Sequence, residues 1–282
     1  MSALDRPATP LRRARVKFHK RWDDFCRMPS TAHTRVDLHF HVLPGVDDGP
    51  ATLEHSLRIA HLAVRDGTRL AVATPHVRSD HLVSVDQLHE RVRALQHELD
   101  RERIELRLLP GAELGHEMVA CLSDGELQTI AQGSPGRRWI LLEAPFDGLT
   151  EDFHEAADEL RTRGFGVLMA HPERMAGIAA HDDRALAHEL KRGTLLQVNS
   201  WSLAGAHGEQ VRALAAAFVA LPEAAAIASD AHADWREPLL GLGVEGAARA
   251  GLKRPVAVGL CSAAALALLH RGLQPSRSAS RA

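Results

Sequence analysis

Short apolar runs alternate with helical segments along this chain, and nearly every apolar run ends in a polar residue. Val36-Asp37-Leu38 opens the pattern. Leu70-Ala71-Val72-Ala73-Thr74, the stretch around Leu106-Arg107-Leu108-Leu109, Trp139–Glu143, Gly166–Ala170, Thr194–Val198 and Ala225–Ser229 continue it, for about seven strands. Between them, Leu53, Leu57, Ala60 and Val64 recur at helical spacing, as do Leu88, Val92, Leu95 and Leu99, and a further helix is predicted over 151–163. Strands of this kind, alternating with amphipathic helices, imply a parallel sheet with helices outside. No Gly-rich phosphate loop and no internal repeat is visible. The polar residues sit at the C-terminal end of nearly every strand, where a barrel brings all its strands to one mouth. A single-domain α/β barrel is therefore expected over an open doubly wound sheet, and 282 residues suffice for one.

Composition narrows the function. With 45% apolar and 25% charged residues, the chain is neither disordered nor disulfide-built. A net charge of -2 argues against a nucleic-acid partner. Apolar stretches are short and broken by His, Arg or Asp, so no transmembrane segment is expected. Cys26, Cys121 and Cys261 are widely spaced, as expected of core thiols in a reduced cytoplasmic protein. None has Arg at the sixth following position, so the Cys-x5-Arg loop of cysteine phosphatases is absent. Residues 1–34 hold eight Lys/Arg against three acids, a basic extension of about +5 that leaves about -7 for the rest. Such an arm suits an acidic partner or lipid surface. A disordered tail is expected over 273–282.

The strand ends carry the chemistry. His39 and His41 form an i, i+2 pair, which an extended chain points to one side. The following Leu43–Gly49 turn supplies Asp47 and Asp48. Later strands end in Thr74-Pro75-His76, Gly111-Ala112-Glu113, Glu143, His171-Pro172-Glu173-Arg174 and Ser229-Asp230-Ala231-His232. Five His and four acids at one topological position make a metal site. They outnumber the four to six donors of one ion, so two or three divalent ions are expected. Mixed imidazole and carboxylate donors suit Mn, Zn or Fe.

The segments VDLHFHVLPGVDDG, ATPH, GAEL, LLEAPF, AHPER, LLQVNSWSL and ASDAH together resemble the PHP superfamily. Within it, the chain is similar over about residues 35–240 to the manganese-dependent protein-tyrosine phosphatases of bacterial capsule and exopolysaccharide operons, the CpsB/YwqE type. The resemblance implies a distorted (β/α)7 barrel over 35–272, TIM-barrel-like, with a trinuclear site at its mouth. Carried over, His39 and His41 hold a first ion with Glu113 and Asp230. Glu113 bridges to a second ion, held also by Glu143 and His171. Asp48, His76 and His232 hold the third; Asp48 is chosen over Asp47 because the family uses the second Asp of its DDG triplet. Arg174 matches the arginine that contacts phosphate, and Arg236 is the candidate for a second, although ADWREP is one residue shorter than the usual pattern. The family's HxH lies almost at the N-terminus, whereas 38 residues precede it here, and Cys261-Ser262 replaces the usual Asn-Pro. The implied cofactor is Mn2+, with Zn2+ or Fe as alternatives. The implied partner is the Tyr-rich tail of a membrane tyrosine autokinase; oligomeric state is left open.

Phosphate chemistry agrees with the charge of such a site. Four carboxylates and three divalent ions give about +2 before Arg174 is counted, a field suited to a phosphomonoester dianion. Divalent ions make hydroxide available at neutral pH and clamp an in-line displacement. Direct hydrolysis without a phosphoenzyme is expected, with Arg174 neutralising phosphate charge. Tyrosinate, of parent pKa about 10, leaves readily, and His76 is a candidate to assist. The chain has no Tyr, so its substrate is another protein. Two rivals are a small-molecule phosphatase of the histidinol-phosphatase type and a non-catalytic metal-binding PHP regulatory module. LPGVDDG and HPER speak against the first, and the nine filled ligand positions against the second. Trp201 and Trp235 are placed near the mouth or in packing. His116 is expected to pack near the rim, and His89, His97, His154 and His188 to be solvated on helices.

Overall fold

The computed structural model describes residues 34–175, 184–233 and 236–274. The basic extension (apart from Thr34), most of the tail and Trp235 lie outside the described residues. The strands are β1 (Arg35–Phe40), β2 (Thr68–Ala73), β3 (His76–Val77), β4 (Arg107–Pro110), β5 (Glu113–Leu114), β6 (Trp139–Glu143), β7 (Gly166–Ala170), β8 (Leu195–Asn199) and β9 (Ala224–Ala228). The helices are α1 (Leu53–Arg65), α2 (Leu88–Arg101), α3 (Asp124–Ile130), α4 (Glu151–Thr162), α5 (Arg184–Lys191), α6 (Ser200–Ala204), α7 (Glu209–Val219), α8 (Leu240–Arg249), α9 (Arg254–Leu260) and α10 (Ala263–Arg271).

Every strand pairing in these sheets is parallel. Hydrogen bonding divides the strands between a three-stranded sheet, β1-β2-β4, and a six-stranded sheet, β3-β5-β6-β7-β8-β9. The α/β class is as expected. The expected strands ending in His76 and Glu113 are each broken in two, at Thr74-Pro75 and at Gly111-Ala112. Pro75 has no N–H to give a ladder. At Gly111 the backbone runs so close to Val72 that an added Cβ would lie 2.5 Å from its Cγ1. A parallel bridge joins Phe40 to Ala231, and the Asp230 N–H donates to the His39 carbonyl at 2.8 Å. The chain just past β9 is thereby tied to the end of β1.

Strand interiors are buried apolar runs, as helices on a parallel sheet require. Trp139 is buried and its indole N–H donates to the Leu268 carbonyl at 3.0 Å, pinning α10 to β6. α2 buries Leu88, Val92, Leu95 and Leu99, the predicted stripe. α1 buries Ala60 of the predicted stripe together with Ser56, Ile59 and Ala63, while Leu57 and Val64 pack partly buried against the core and Leu53 is exposed. Ser123 and Glu126 close a capping box at the start of α3. Cys261 is a core thiol pushed up to about 12 by burial, while Cys121 is exposed, contrary to the expectation for it. No helix among the described residues is long and apolar enough to cross a membrane.

Candidate metal centre

Consecutive strand ends deliver the side chains. β1 brings His39 and, one residue past its end, His41; the β3–β5 register sets His76 beside Glu113. β6 ends in Glu143, β7 runs into His171, and the turn after β9 carries Asp230 and His232. His171 and Asp230 have left-handed backbones, with φ of 32° and 49°. Such a backbone in a residue other than glycine costs about 1–3 kcal/mol and persists where surrounding structure enforces it. Here the His171 N–H donates to the Gln197 carbonyl at 2.9 Å and the Asp230 N–H to that of His39.

Glu113 is the hub. Its Oε2 lies 3.1 Å from His39 Nε2, 3.3 Å from His41 Nε2 and 3.1 Å from His76 Nδ1, and its Oε1 lies 2.8 Å from His171 Nε2. Asp230 Oδ1 stands 3.4 and 3.6 Å from the same nitrogens of His39 and His41. Asp48 Oδ1 is 3.1 Å from His232 Nε2 and 3.6 Å from His76 Nε2. At the strand ends, three groups each have a ligand atom per residue within 4.8 Å of one another: His39-His41-Glu113-Asp230, His41-Asp48-His76-His232, and His76-Glu113-Glu143; a fourth, His154-His188-Glu189, lies on α4 and α5. The nine predicted residues thus converge. The first and second groups match the expected first and third ion sets, with His41 joining the latter. In the third group His76 takes the place expected of His171, which touches Glu113 from the other side.

Two neighbours aim the imidazoles: Gln197, which sequence reading did not single out, and Asp47, which it passed over in favour of Asp48. Gln197 Oε1 lies 2.9 Å from His39 Nδ1, and Asp47 Oδ2 lies 2.7 Å from His41 Nδ1. Asp47 also accepts from the His76 and Gly49 N–H groups. With both Nδ1 atoms donating outward, the Nε2 atoms face each other at 3.0 Å and point at Glu113. Such outer partners set the tautomer and orientation of metal-binding histidines. Beneath them Asp37 accepts from the Ser229 hydroxyl at 2.5 Å and from the Ser229 and His39 N–H groups, clasping β1 to the end of β9. A polar residue inside an otherwise apolar strand was the available signal for both Asp37 and Gln197.

The electrostatics favour a cation. Burial opposes protonation of His41, but Asp47 and Glu113 outweigh it and push the imidazole up to about 10. Burial would raise Glu113 and Asp230, yet surrounding His and, at Asp230, Arg236 hold both well below the ordinary range. Burial, then Glu113, push Glu143 up to about 8. His76 is driven down to about 4, burial first. His76 Nδ1, Glu113 Oε2 and His171 Nδ1 are buried with no hydrogen-bond partner. Polar atoms left so at the convergence of imidazoles and carboxylates fit divalent ions, which take hard and borderline donors of this kind.

Arginines line the mouth of a cavity of about 180 Å³ above the hub. Arg174 donates to Asp230 Oδ2 at 2.7 Å; Arg236 donates to the same oxygen, joined by Asn199 Nδ2 at 2.9 Å. Arg236 therefore reaches the site despite the shorter segment before it. Arg78, not singled out from sequence, donates to both oxygens of Glu143 at 2.9 Å. Trp201 lies elsewhere, its indole bonded to the Glu237 carbonyl. His154, expected to be solvated, is half-buried and 2.7 Å from Glu189.

A family profile described as "Capsular polysaccharide synthesis, CpsB/CapC" matches residues 35–249. The chain belongs to the CpsB/CapC family. It is 32% identical over 200 residues to the tyrosine-protein phosphatase YwqE of Bacillus subtilis (strain 168), covering 70% of this chain and 77% of that protein. It is 27% identical over 208 residues to the putative tyrosine-protein phosphatase CapC of Staphylococcus aureus, covering 73% and 80%. Among solved structures, one from work on YwqE of Bacillus subtilis and CpsB of Streptococcus pneumoniae, described as metal-dependent tyrosine phosphatases, superposes with TM-score 0.72 and 28% identity. That match covers 87% of this chain and all of the other. An organophosphorus hydrolase mutant of Deinococcus radiodurans, TM-score 0.54 and 13% identical, shares the fold.

Proposed function

We propose that this CpsB/CapC-family chain is a metal-dependent phosphomonoester hydrolase that dephosphorylates phosphotyrosine on a protein, the tail of a membrane tyrosine autokinase in capsule or exopolysaccharide synthesis, on the cytoplasmic side. The observation that carries this reading is the gathering of five imidazoles and four carboxylates around Glu113, seven of them lining one cavity with three arginines. Relatives named as tyrosine-protein phosphatases support it. Two features support a distorted (β/α)7 barrel: the broken strand pairs β2/β3 and β4/β5 count as one strand each, and the Phe40–Ala231 bridge links first to last.

His39, His41, Glu113 and Asp230 would hold one ion, Glu113, Glu143 and His171 a second, and Asp48, His76 and His232 a third. Mn2+ suits this oxygen- and imidazole-rich set. Bound divalent ions supply Lewis-acid neutralisation and an activated water at neutral pH. Arg174 and Arg236 present N–H groups at the mouth and neutralise charge on the phosphoryl oxygens. Water attacks phosphorus, the P–O bond to the aryl group breaks, and the phenol oxygen leaves and takes a proton. His76 faces Glu113 with one nitrogen and Asp48 with the other, so it serves as a ligand; a leaving group of pKa about 10 departs without its help. Neither described cysteine lines the cavity, which agrees with attack by water.

The test is p-nitrophenyl phosphate hydrolysis with added manganese. His41→Ala and Glu113→Ala each remove a donor outright, so each should lower turnover by at least about 100-fold. Undiminished turnover in either variant stripped of metal refutes the assignment.

A further inference from the structure

The walls of the mouth are charged or imidazole, with one exception. Phe146 is the only hydrocarbon side chain among the described residues lining the cavity. It follows β6, three residues beyond Glu143, and is 46% exposed although most large apolar side chains of this fold are buried. Its ring lies 6.3 Å from that of His171 and within 11° of parallel. The Arg174 guanidinium carbon stands 5.1 Å from the ring centroid, within cation–π range. Arg174 thus links Phe146 on one side to Asp230 at the cup on the other.

An aryl phosphate carries its ring one oxygen away from phosphorus. A site that grips the phosphoryl group beside Arg174 therefore sets the ring down within reach of whatever Arg174 packs on. Arginines, imidazoles and carboxylates offer a phenyl ring little apolar contact, whereas Phe146 offers an aromatic surface already partly open. Resting on the phosphatase reading above, we infer that Phe146 is a specificity-determining residue: it is the platform on which the aryl ring of the phosphoester packs while Arg174 takes the phosphate. Phe146 has no charge and no hydrogen-bonding group, so its effect falls on ring-bearing ligands and spares ring-free phosphate.

The manganese-loaded full-length protein and its Phe146→Ala, Phe146→Leu and Phe146→Trp variants are compared with two probes. KM for p-nitrophenyl phosphate reads the ring together with the phosphate, and competitive inhibition by inorganic phosphate reads the phosphate alone. Aromatic packing of this kind is worth about two- to tenfold in affinity, so F146A and F146L should raise KM by that factor and change kcat less. F146W should keep KM near the parent value, and the inhibition constant for phosphate should stay put in all three. Parallel weakening of both probes overturns the inference, because Phe146 would then act only by seating Arg174; an unchanged KM overturns it as well. A parent protein that binds manganese yet hydrolyses neither p-nitrophenyl phosphate nor a phosphotyrosyl peptide instead removes the phosphatase reading, and the platform with it.

Discussion

Residue chemistry at the cup depends on side chains that never face an ion. Gln197 and Asp47 hold the outer nitrogens of His39 and His41, so each imidazole offers Nε2 inward. Replacing Gln197 by Leu removes the acceptor and frees His39 to rotate or to take the wrong tautomer. Loss of such a partner typically weakens metal affinity about 10- to 100-fold, and Gln197→Leu should do so in a manganese titration while the circular dichroism spectrum is retained. Unchanged affinity would show that Gln197 only packs. The nine converging side chains were legible in sequence because they sit at strand ends, where spacing and topology coincide. The aiming residues were not, since His41 is paired with Asp47 across a turn and His39 with Gln197 across 158 residues. Arg78 and Phe146 escaped for the same reason: only the folded turns after β3 and β6 bring them to the mouth.

Elements were readable where a whole segment is apolar or strictly periodic, as in β6, β7 and α2. They were not where one residue overrides the pattern, as Pro75 and Gly111 do in splitting two strands. α5 shows another limit, because its docking to α4 rests on a buried polar network that no periodicity reveals. Arg161 of α4 donates to Glu189 Oε2 at 2.5 Å and to the Thr194 hydroxyl, while His154 holds Glu189 Oε1. Glu189 is fully buried and Arg161 only 6% exposed. Arg161→Met leaves that carboxylate without its guanidinium, and breaking a buried pair in this way costs about 3–5 kcal/mol. Urea unfolding should register that loss while turnover per folded molecule at saturating manganese is kept, since the pair lies away from the mouth. A stability change below about 1 kcal/mol, the scale of an exposed pair, would contradict the burial of this network.

At the scale of the molecule, the cup draws on strands from both sheets: β1 supplies imidazoles from the three-stranded sheet, and from the six-stranded one β3 supplies the His76 imidazole and β5 and β6 the Glu113 and Glu143 carboxylates. Ions held there cross-link the two sheets only in the folded chain, because unfolding scatters donors that are up to 193 residues apart in sequence, from His39 to His232. Binding to the native state alone stabilises it by mass action, about 2.7 kcal/mol when free ion is 100 times its dissociation constant. For a domain of this size that amounts to about 5–10 °C in Tm, so chelation should lower Tm by that much and added manganese should restore it. The sign reverses only for an ion that prefers the unfolded chain. Histidines and carboxylates must shed protons to bind metal, and in the ion-free cup Glu143 is pushed up to about 8 and His41 to about 10, so the gap between loaded and chelated Tm should close progressively as pH falls from about 8. Differential scanning calorimetry across that range, with bound metal assayed at each point, measures both effects. A chelated protein that melts where the loaded one does would mean that the nine side chains converge without coupling ion binding to the fold.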